Sequence, residues 1–401
     1  MPGRVAVVTF IVVTWASGTG AQNVPPGYDK VVEITRDAYF NDWPRINNRG
    51  HVVFSRWFDP YDGNTAEIYL WDNGVLQRLT DDYLADAFPA INDAGEIVWT
   101  RATVPNTSNA FEIVHWRNGE LRRITYDDVR DYSDGINNHS WITWSKIIGG
   151  GCREMDADVW LLDDGGMRRL SERWRSNQVA HLNDLGDVVW TRYNFCYPWP
   201  DYTSEVMLYS EGVIQPLTGD QGADRWPQIN NRRVVAWIHD QPPTWEDGIA
   251  IWKQGQTRLL TDWGGAPALN NRGDGDILFH RWHQDTKLWQ VWLYRDGKFY
   301  QITSDPFWNS IGDINDRGDF VWQAGKPPEG NIKLMKRLPL GDLNCDRAVN
   351  NFDIDPFVLA LVDPGAYEQR FPECDRTLGD VNLDGEVNNF DIDPFVKLLT
   401  K

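Results

Sequence analysis

Long apolar runs are scarce in this chain. Beyond the first 21 residues nothing approaches the roughly 20 consecutive apolar residues that a membrane-spanning helix requires. Positive charge is short as well: 39 Lys and Arg stand against 58 Asp and Glu, a net charge of -19. That balance excludes nucleic acid as an expected partner, because phosphate binding needs clustered cations, and it suits calcium binding. The common catalytic signatures are missing too: no Gly-x-Ser-x-Gly elbow, no His-Glu-x-x-His helix, no glycine-rich phosphate loop and no Cys-x-x-Cys pair. With 58 carboxylates, any chosen acidic pair is uninformative without geometry. The seven histidines are scattered, and only His280-x-x-His283 hints at a metal.

Cysteine is sparse but not absent. Residues 1–21 carry Arg4, the apolar run Val5 to Val13 and small residues at Thr19-Gly20-Ala21, the pattern of a secretory signal peptide. The expectation is therefore a secreted chain, extracellular or associated with a cell surface. In that setting four cysteines suggest two disulfides, paired in chain order as Cys152–Cys196 and Cys345–Cys374. Each would stabilise by about 3 to 4 kcal/mol on the chain-entropy account. Free reactive thiols are the alternative.

What is present is repetition. One short signature occurs seven times, beginning at Ile46, Ile91, Ile136, Leu182, Ile229, Leu269 and Ile314, with spacings of 45, 45, 46, 47, 40 and 45 residues. Each copy precedes a run of β-branched and aromatic residues such as Ile97-Val98-Trp99-Thr100, then a polar loop, then a hairpin-like segment such as Glu67 to Thr80 with its Asn73-Gly74 turn. Four short strands per repeat is the content of one propeller blade. The seventh repeat lacks its last strand, whereas Val31 to Thr35 is an orphan strand of that kind. The expected fold is therefore mainly β: a seven-bladed β-propeller of four-stranded blades over residues 28–340, closed by the N-terminal strand, which removes an open sheet edge. The segment DAFPAINDAGEIVWTR resembles the WD40-like repeats of TolB-type propellers, with INDxG or INNxG where that family has SPDG.

Positions shared by every repeat read as structural. Asn47, Asn92, Asn137, Asn183, Asn230, Asn270 and Asn315 are expected turn formers. Asp86, Asp131 and Asp224, five residues before the signature, are expected to cap the entering loop. Trp99, Trp144, Trp190, Trp237 and Trp322, with Phe54 and Phe279, are expected core. Trp43, Phe88, Tyr132 and Trp226 fall outside that register. Rings beside carboxylates at a channel mouth suit stacking on sugars, and packing beneath a loop is the other reading.

The last 60 residues carry a different signal. Residues 350 to 358 and 388 to 396 both read NNFDIDPFV, 38 residues apart. Before each lies an acidic loop: Asp342, Asn344, Asp346, Ala348, Asn350 and Asp353 in the first, Asp380, Asn382, Asp384, Glu386, Asn388 and Asp391 in the second. Side chains at loop positions 1, 3, 5, 9 and 12 with the carbonyl at position 7 form the oxygen donor set of an EF-hand calcium loop, so two Ca2+ ions are expected. A pair of such loops, each running into a short apolar helix, resembles a type I dockerin domain over residues 341–401. The resemblance implies calcium-dependent docking onto a cohesin-like domain, in the setting of polysaccharide breakdown. It places partner recognition on Asn351, Phe352, Asn389 and Phe390, the same pair in both halves, so that two binding orientations are available. Arg347 replaces the usual glycine at position 6 of the first loop, where a left-handed backbone would cost about 1 kcal/mol or more. Three functions remain open for the propeller: presentation of a carbohydrate-binding face by the docking module, a glycoside hydrolase or lyase, and a structural surface protein.

Overall fold

The computed structural model describes residues 24–400 apart from 63–64, 106–109, 128, 150–155, 172–175, 194–202, 220–221 and 241–246. The leader expected at 1–21 and the pair Cys152–Cys196 fall outside the described residues. Among the described residues no helix is long and apolar enough to cross a membrane.

The chain is mainly β. Strand β1 is Val32–Glu33, β2 Phe40–Ile46, β3 Val52–Trp57, β4 Ala66–Asp72 and β5 Val75–Arg78. Strands β2 to β5 form an antiparallel meander, with Phe54 opposite Tyr69 on neighbouring strands. The pattern recurs over 86–123, 130–169, 176–216, 223–261 and 265–301. A final unit, Asn309–Ile314, Phe320–Lys326 and Glu329–Met335, has three strands of its own. Its fourth is β1, which pairs antiparallel with Glu329–Met335, Val32 opposite Leu334. Both chain ends of the β region thus lie in one sheet.

Alternation along each second strand sends the large aromatic inward. Trp99, Trp144, Trp190, Trp237, Trp322, Phe54 and Phe279 are all buried. Burying an indole requires an acceptor for its N–H, and this is where the acidic positions before each signature are used. Trp99 Nε1 donates to Asp86 Oδ1 at 2.6 Å, Trp237 to Asp224 at 2.7 Å, and Trp190 and Trp322 to Asn177 and Asn309. Asp86, Asp131 and Asp224 all sit inside first strands and not in loops: Asp86 and Asp224 are buried partners of core tryptophans, whereas Asp131 makes no bond to Trp144 and lies 3.8 Å from Lys146 Nζ.

The repeated asparagines do more than turn the chain. Asn137 Oδ1 accepts from His139 N and Trp141 N within its own turn, both at 3.0 Å. Its Nδ2 reaches the next repeat and donates to Asn183 O. The same step runs from Asn47 to Asn92, Asn92 to Asn137, Asn183 to Asn230, Asn230 to Asn270, Asn270 to Asn315, and from Asn315 back to Asn47, at 2.9 to 3.0 Å throughout. A second ring lies beside it: the backbone N–H of Asn48, Asp93, Asn138, Asp184, Asn231, Asn271 and Asp316 each donates to the side-chain oxygen of the following member, and Asp316 donates to Asn48.

Removing one of these side chains strands several buried groups together, each worth about 1 to 3 kcal/mol when left unpaired. Asn137→Ala is therefore expected to lower the unfolding free energy by about 2 to 4 kcal/mol in a denaturant titration. A loss below about 0.5 kcal/mol would mean that water replaces the ring contacts.

Candidate functional sites: paired acidic loops and an aromatic cleft

The C-terminal segment holds three helices, α1 Ile354–Val362, α2 Pro364–Arg370 and α3 Ile392–Leu399. Helices α1 and α3 meet through Phe357 and Phe395, whose rings stack at 4.0 Å and 10°. Tyr367 is buried beneath them and donates its hydroxyl to Leu343 O at 2.9 Å. Cys345 and Cys374 form a disulfide across the segment, with Cα atoms 5.7 Å apart.

The two acidic loops are wound alike. In the first, Asp342 accepts from the N–H of Asp346 and Arg347, and Asp353 accepts from Leu343, Asn344 and Asn350. In the second, Asp380 accepts from Asp384 and Gly385, and Asp391 from Asn382 and Asn388. Asn350 and Asn388 cap the short 3-10 turns that lead into α1 and α3. Arg347 has φ +74° and Gly385 φ +98°, so position 6 is left-handed in both loops, with a side chain in the first.

These residues fit a divalent cation. Asp342, Asp353, Asp380 and Asp391 are all buried, and among the described residues no Lys or Arg pairs with Asp342 or Asp353. Burial, with the charge of Asp353 beside it, pushes the Asp342 carboxyl up to about 6. Buried, mutually repelling carboxylates require a counter-charge, and hard oxygen donors suit calcium.

The four aromatics outside the core register divide between two cavities. Trp43, Phe88 and Trp226 sit in first strands, not in the loops ahead of them, at bulges where φ is +50°, +58° and +56°. Serine or threonine of the preceding repeat holds the bulge: Phe88 N donates to Ser55 Oγ and Trp226 N to Thr191 Oγ1. Tyr132 lies one residue earlier in its repeat. Trp43, Phe88 and Tyr132 form an edge-to-face series at 5.3 and 6.2 Å, on the wall of a cavity of about 230 Å³ that also holds Arg45, Asp134 and His181. Burial pushes Asp134 up to about 7 and His181 down to about 4. Trp226 is elsewhere, in a cleft of about 590 Å³.

That cleft was not legible in the sequence. Phe40, Trp226, Trp289 and Trp308 supply its apolar walls, and Asp42, Asp247, His280, Arg225, Lys326, Ser310 and Gln323 its polar groups. Trp308 meets Trp282 and Trp289 edge to face at 5.7 and 6.3 Å, and His280 lies 4.3 Å from Trp289. Asp42 Oδ1 accepts from Trp57 Nε1 at 2.8 Å, and burial without a cation pushes the carboxyl up to about 7. Asp247 is held differently, in an ion pair with Arg225. His280 is pushed down to about 4 by burial, which keeps the ring neutral.

His280 and His283 do not make a metal site, because residues three apart on the strand Ile277–His283 point to opposite faces. Glu112, Asp127 and Asp131 do converge. Arg123 and Lys146 already neutralise that group, through ion pairs to Glu112 and Asp127.

No protein-family model matches the chain, and no curated protein does. Solved structures do. The β-propeller domain of the Trilobed protease from Pyrococcus furiosus superposes with a TM-score of 0.55 at 12% identity, covering 74% of this chain and 95% of that one. The β portion has a propeller fold. The Pyrococcus horikoshii acylaminoacyl peptidase gives a TM-score of 0.52 at 13% identity, over 73% of this chain and 52% of that one. A puromycin-hydrolyzing peptidase of Mycobacterium tuberculosis gives 0.52 at 11%, over 78% and 55%. This chain spans about half the length of those two peptidases, and the likeness is one of propeller architecture.

The Asp42 carboxyl yields a signed pH effect. Its pKa in the fold is about 7 against 3.8, so its favourable contribution is complete below about pH 4 and is lost as pH rises through 7. Asn at this position keeps an oxygen for Trp57 and cannot ionise. Asp42→Asn is expected to match the parent in thermal midpoint near pH 4 and to exceed it at pH 8. A difference independent of pH would show that Asp42 is ionised throughout.

Proposed function

We propose that this is a secreted calcium-binding protein in which a dockerin-like module at 341–401 presents a seven-bladed propeller, residues 28–340, to a carbohydrate. The observation that carries the reading is the duplicated acidic loop with its buried carboxylates. The first Ca2+ would be held by Asp342, Asn344, Asp346, Asn350 and Asp353 with the carbonyl of Ala348, and the second by Asp380, Asn382, Asp384, Asn388 and Asp391 with that of Glu386. Bound calcium would supply the charge that lets these loops fold.

The module's partner is taken to be a cohesin-like domain, met by the surface that carries Asn351, Phe352, Asn389 and Phe390. Support comes from matched exposure of the two halves: Phe352 and Phe390 are each 78% exposed, Ile354 and Ile392 each 41%, Val358 and Val396 each 49%. A stripe presented twice at equal exposure suits a partner that binds in either of two orientations.

Calcium titration of the whole chain by calorimetry is expected to give two ions, and Asp391→Asn or Asp353→Asn one. No binding would sink the docking reading.

For the propeller, the cleft of Trp226, Trp289 and Trp308 fits a sugar: indole faces stack on the apolar face of a pyranose while Asp42, Asp247 and His280 meet its hydroxyls. Trp289→Ala is expected to weaken binding of a neutral oligosaccharide by about tenfold, the worth of one aromatic contact, measured by affinity electrophoresis on a panel of soluble glycans. An unchanged mobility on every glycan that retards the parent would remove the cleft as the site. Hydrolysis is the second reading, favoured by a neutral Asp42 and an ion-paired Asp247 on the same cleft, the division of labour that a general acid and a second carboxylate need. New reducing ends in the same incubation would decide for it.

A further inference from the structure

We infer that the second acidic loop is completed by the propeller, so that calcium there latches the C-terminal module onto the β portion, whereas calcium in the first loop does not. The inference rests on reading both loops as calcium sites.

The two loops are alike in sequence and winding but not in surroundings. The apex of the second lies against the turn that follows Leu269. A β-carbon on Gly385 would stand 2.9 Å from Gly273 Cα, so two backbones touch with no room for a side chain. Arg232 reaches over the loop, its Nη2 donating to Leu383 O at 3.4 Å and Asp384 O at 3.3 Å. Arg272 donates to Thr377 O at 3.0 Å, and its guanidinium lies 3.5 Å from Asp380 Oδ2. Arg272 and Asp380 are both buried. Oδ2 of Asp380 also accepts from Gly385 N, so a propeller cation and the loop's own backbone orient one carboxylate from outside. That is the place of an outer-shell group, which fixes a ligand without touching the ion.

The first loop has no such support. Arg347, at the position equivalent to Gly385, makes an ion pair with Asp29 at 2.8 Å, and both side chains are exposed, 61% and 41%. Exposed pairs contribute little. The same loop position thus takes an arginine that meets only an exposed carboxylate among the described residues, and a glycine where another backbone lies against it.

The consequence is a coupling. Among the described residues, the bonds, ion pair and close approach from the propeller to the second loop fall on atoms whose positions depend on its winding: two carbonyls, one carboxylate and the glycine apex. Asp380, Asp384 and Asp391 share that loop, and their like charges oppose its winding until a cation is bound. Whatever stabilises the wound loop stabilises the interface, and by reciprocity the interface strengthens the site. Arg232 and Arg272 are therefore positioning residues for the second ion.

Hydrogen exchange of the full-length chain tests this, with calcium and with chelator. The reporters are the turns at 230–236 and 270–276, where Arg233 N bonds Asn230 O and Gly275 N bonds Arg272 O. Chelator and Asp391→Asn are expected to speed exchange in both turns, while Asp353→Asn leaves them as in the parent. Equal protection with and without calcium, or equal loss in both variants, overturns the latch. If Asp391→Asn does not fold, the double variant Arg232→Gln, Arg272→Gln serves. In an Asp353→Asn background the remaining calcium site is expected to weaken about tenfold, the lower end for loss of outer-shell partners, and in an Asp391→Asn background not at all. No effect in the first background, or the same effect in both, overturns the proposal. A parent chain that binds no calcium removes the reading of the loops themselves, whereas two bound ions with unresponsive turns remove the latch alone.

Discussion

Everything in the β portion hangs on the closed circuit of asparagine side chains. A propeller buries its blades against one another around an axis, and a circle has no first or last member to absorb an error. Each Asn Nδ2 must find the next turn's carbonyl, so each turn must present that carbonyl at the same height and angle. The asparagine at the same place in all seven turns is the chemical expression of that demand. An Asn can meet it because its amide offers an acceptor for its own turn and a donor for the neighbour. Asp would lose the donor, and Ser could not span the gap.

With the frame held by invariant positions, function is free to sit where repeats differ. The residue that follows Asn41, Asp86, Asp131, Asn177, Asp224, Gly264 and Asn309 in the successive repeats is Asp42, Ala87, Tyr132, Gln178, Arg225, Gly265 and Ser310. No two are alike, and Asp42, Arg225 and Ser310 all border the large cleft. The bulge at the next position turns this variable residue toward the mouth of the channel, with the strain of a left-handed aromatic carried by a hydroxyl of the neighbouring blade. A buried carboxyl such as Asp42, paired only with an indole, opposes folding at neutral pH. Stability arguments do not explain its presence.

The sequence made repeat number, strand content and the pairing of the N-terminal strand legible because these are periodic, and periodicity survives without coordinates. It made the two acidic loops legible because each is a single stretch of twelve residues, wound alike in the fold. The cleft gathers Phe40, Trp226, His280 and Trp308 from four different blades, and no local pattern announces that gathering. The aspartates at 86 and 224 were misread for a related reason. A loop cap and an acceptor for an indole thirteen residues away have the same composition, and only the register of adjacent strands distinguishes them. Trp43, Phe88, Tyr132 and Trp226 were singled out together, yet three line one cavity and the fourth another.

The C-terminal module shows how a duplicated sequence can be made unequal by its surroundings without losing symmetry where it counts. Packing against the propeller uses the apex of the second loop and the polar segment at Asp375, which buried Arg337 and Arg295 hold in place at 3.0 and 3.5 Å. Those contacts lie at the loop ends. The outer residues of α1 and α3 keep identical exposure in the two halves, although Arg232, Arg272 and Gly273 meet the second loop and not the first. Had the propeller engaged a helix face, the two halves would present different surfaces to any partner. Engagement through loop backbone and one carboxylate instead leaves the repeated stripe equally exposed in both halves.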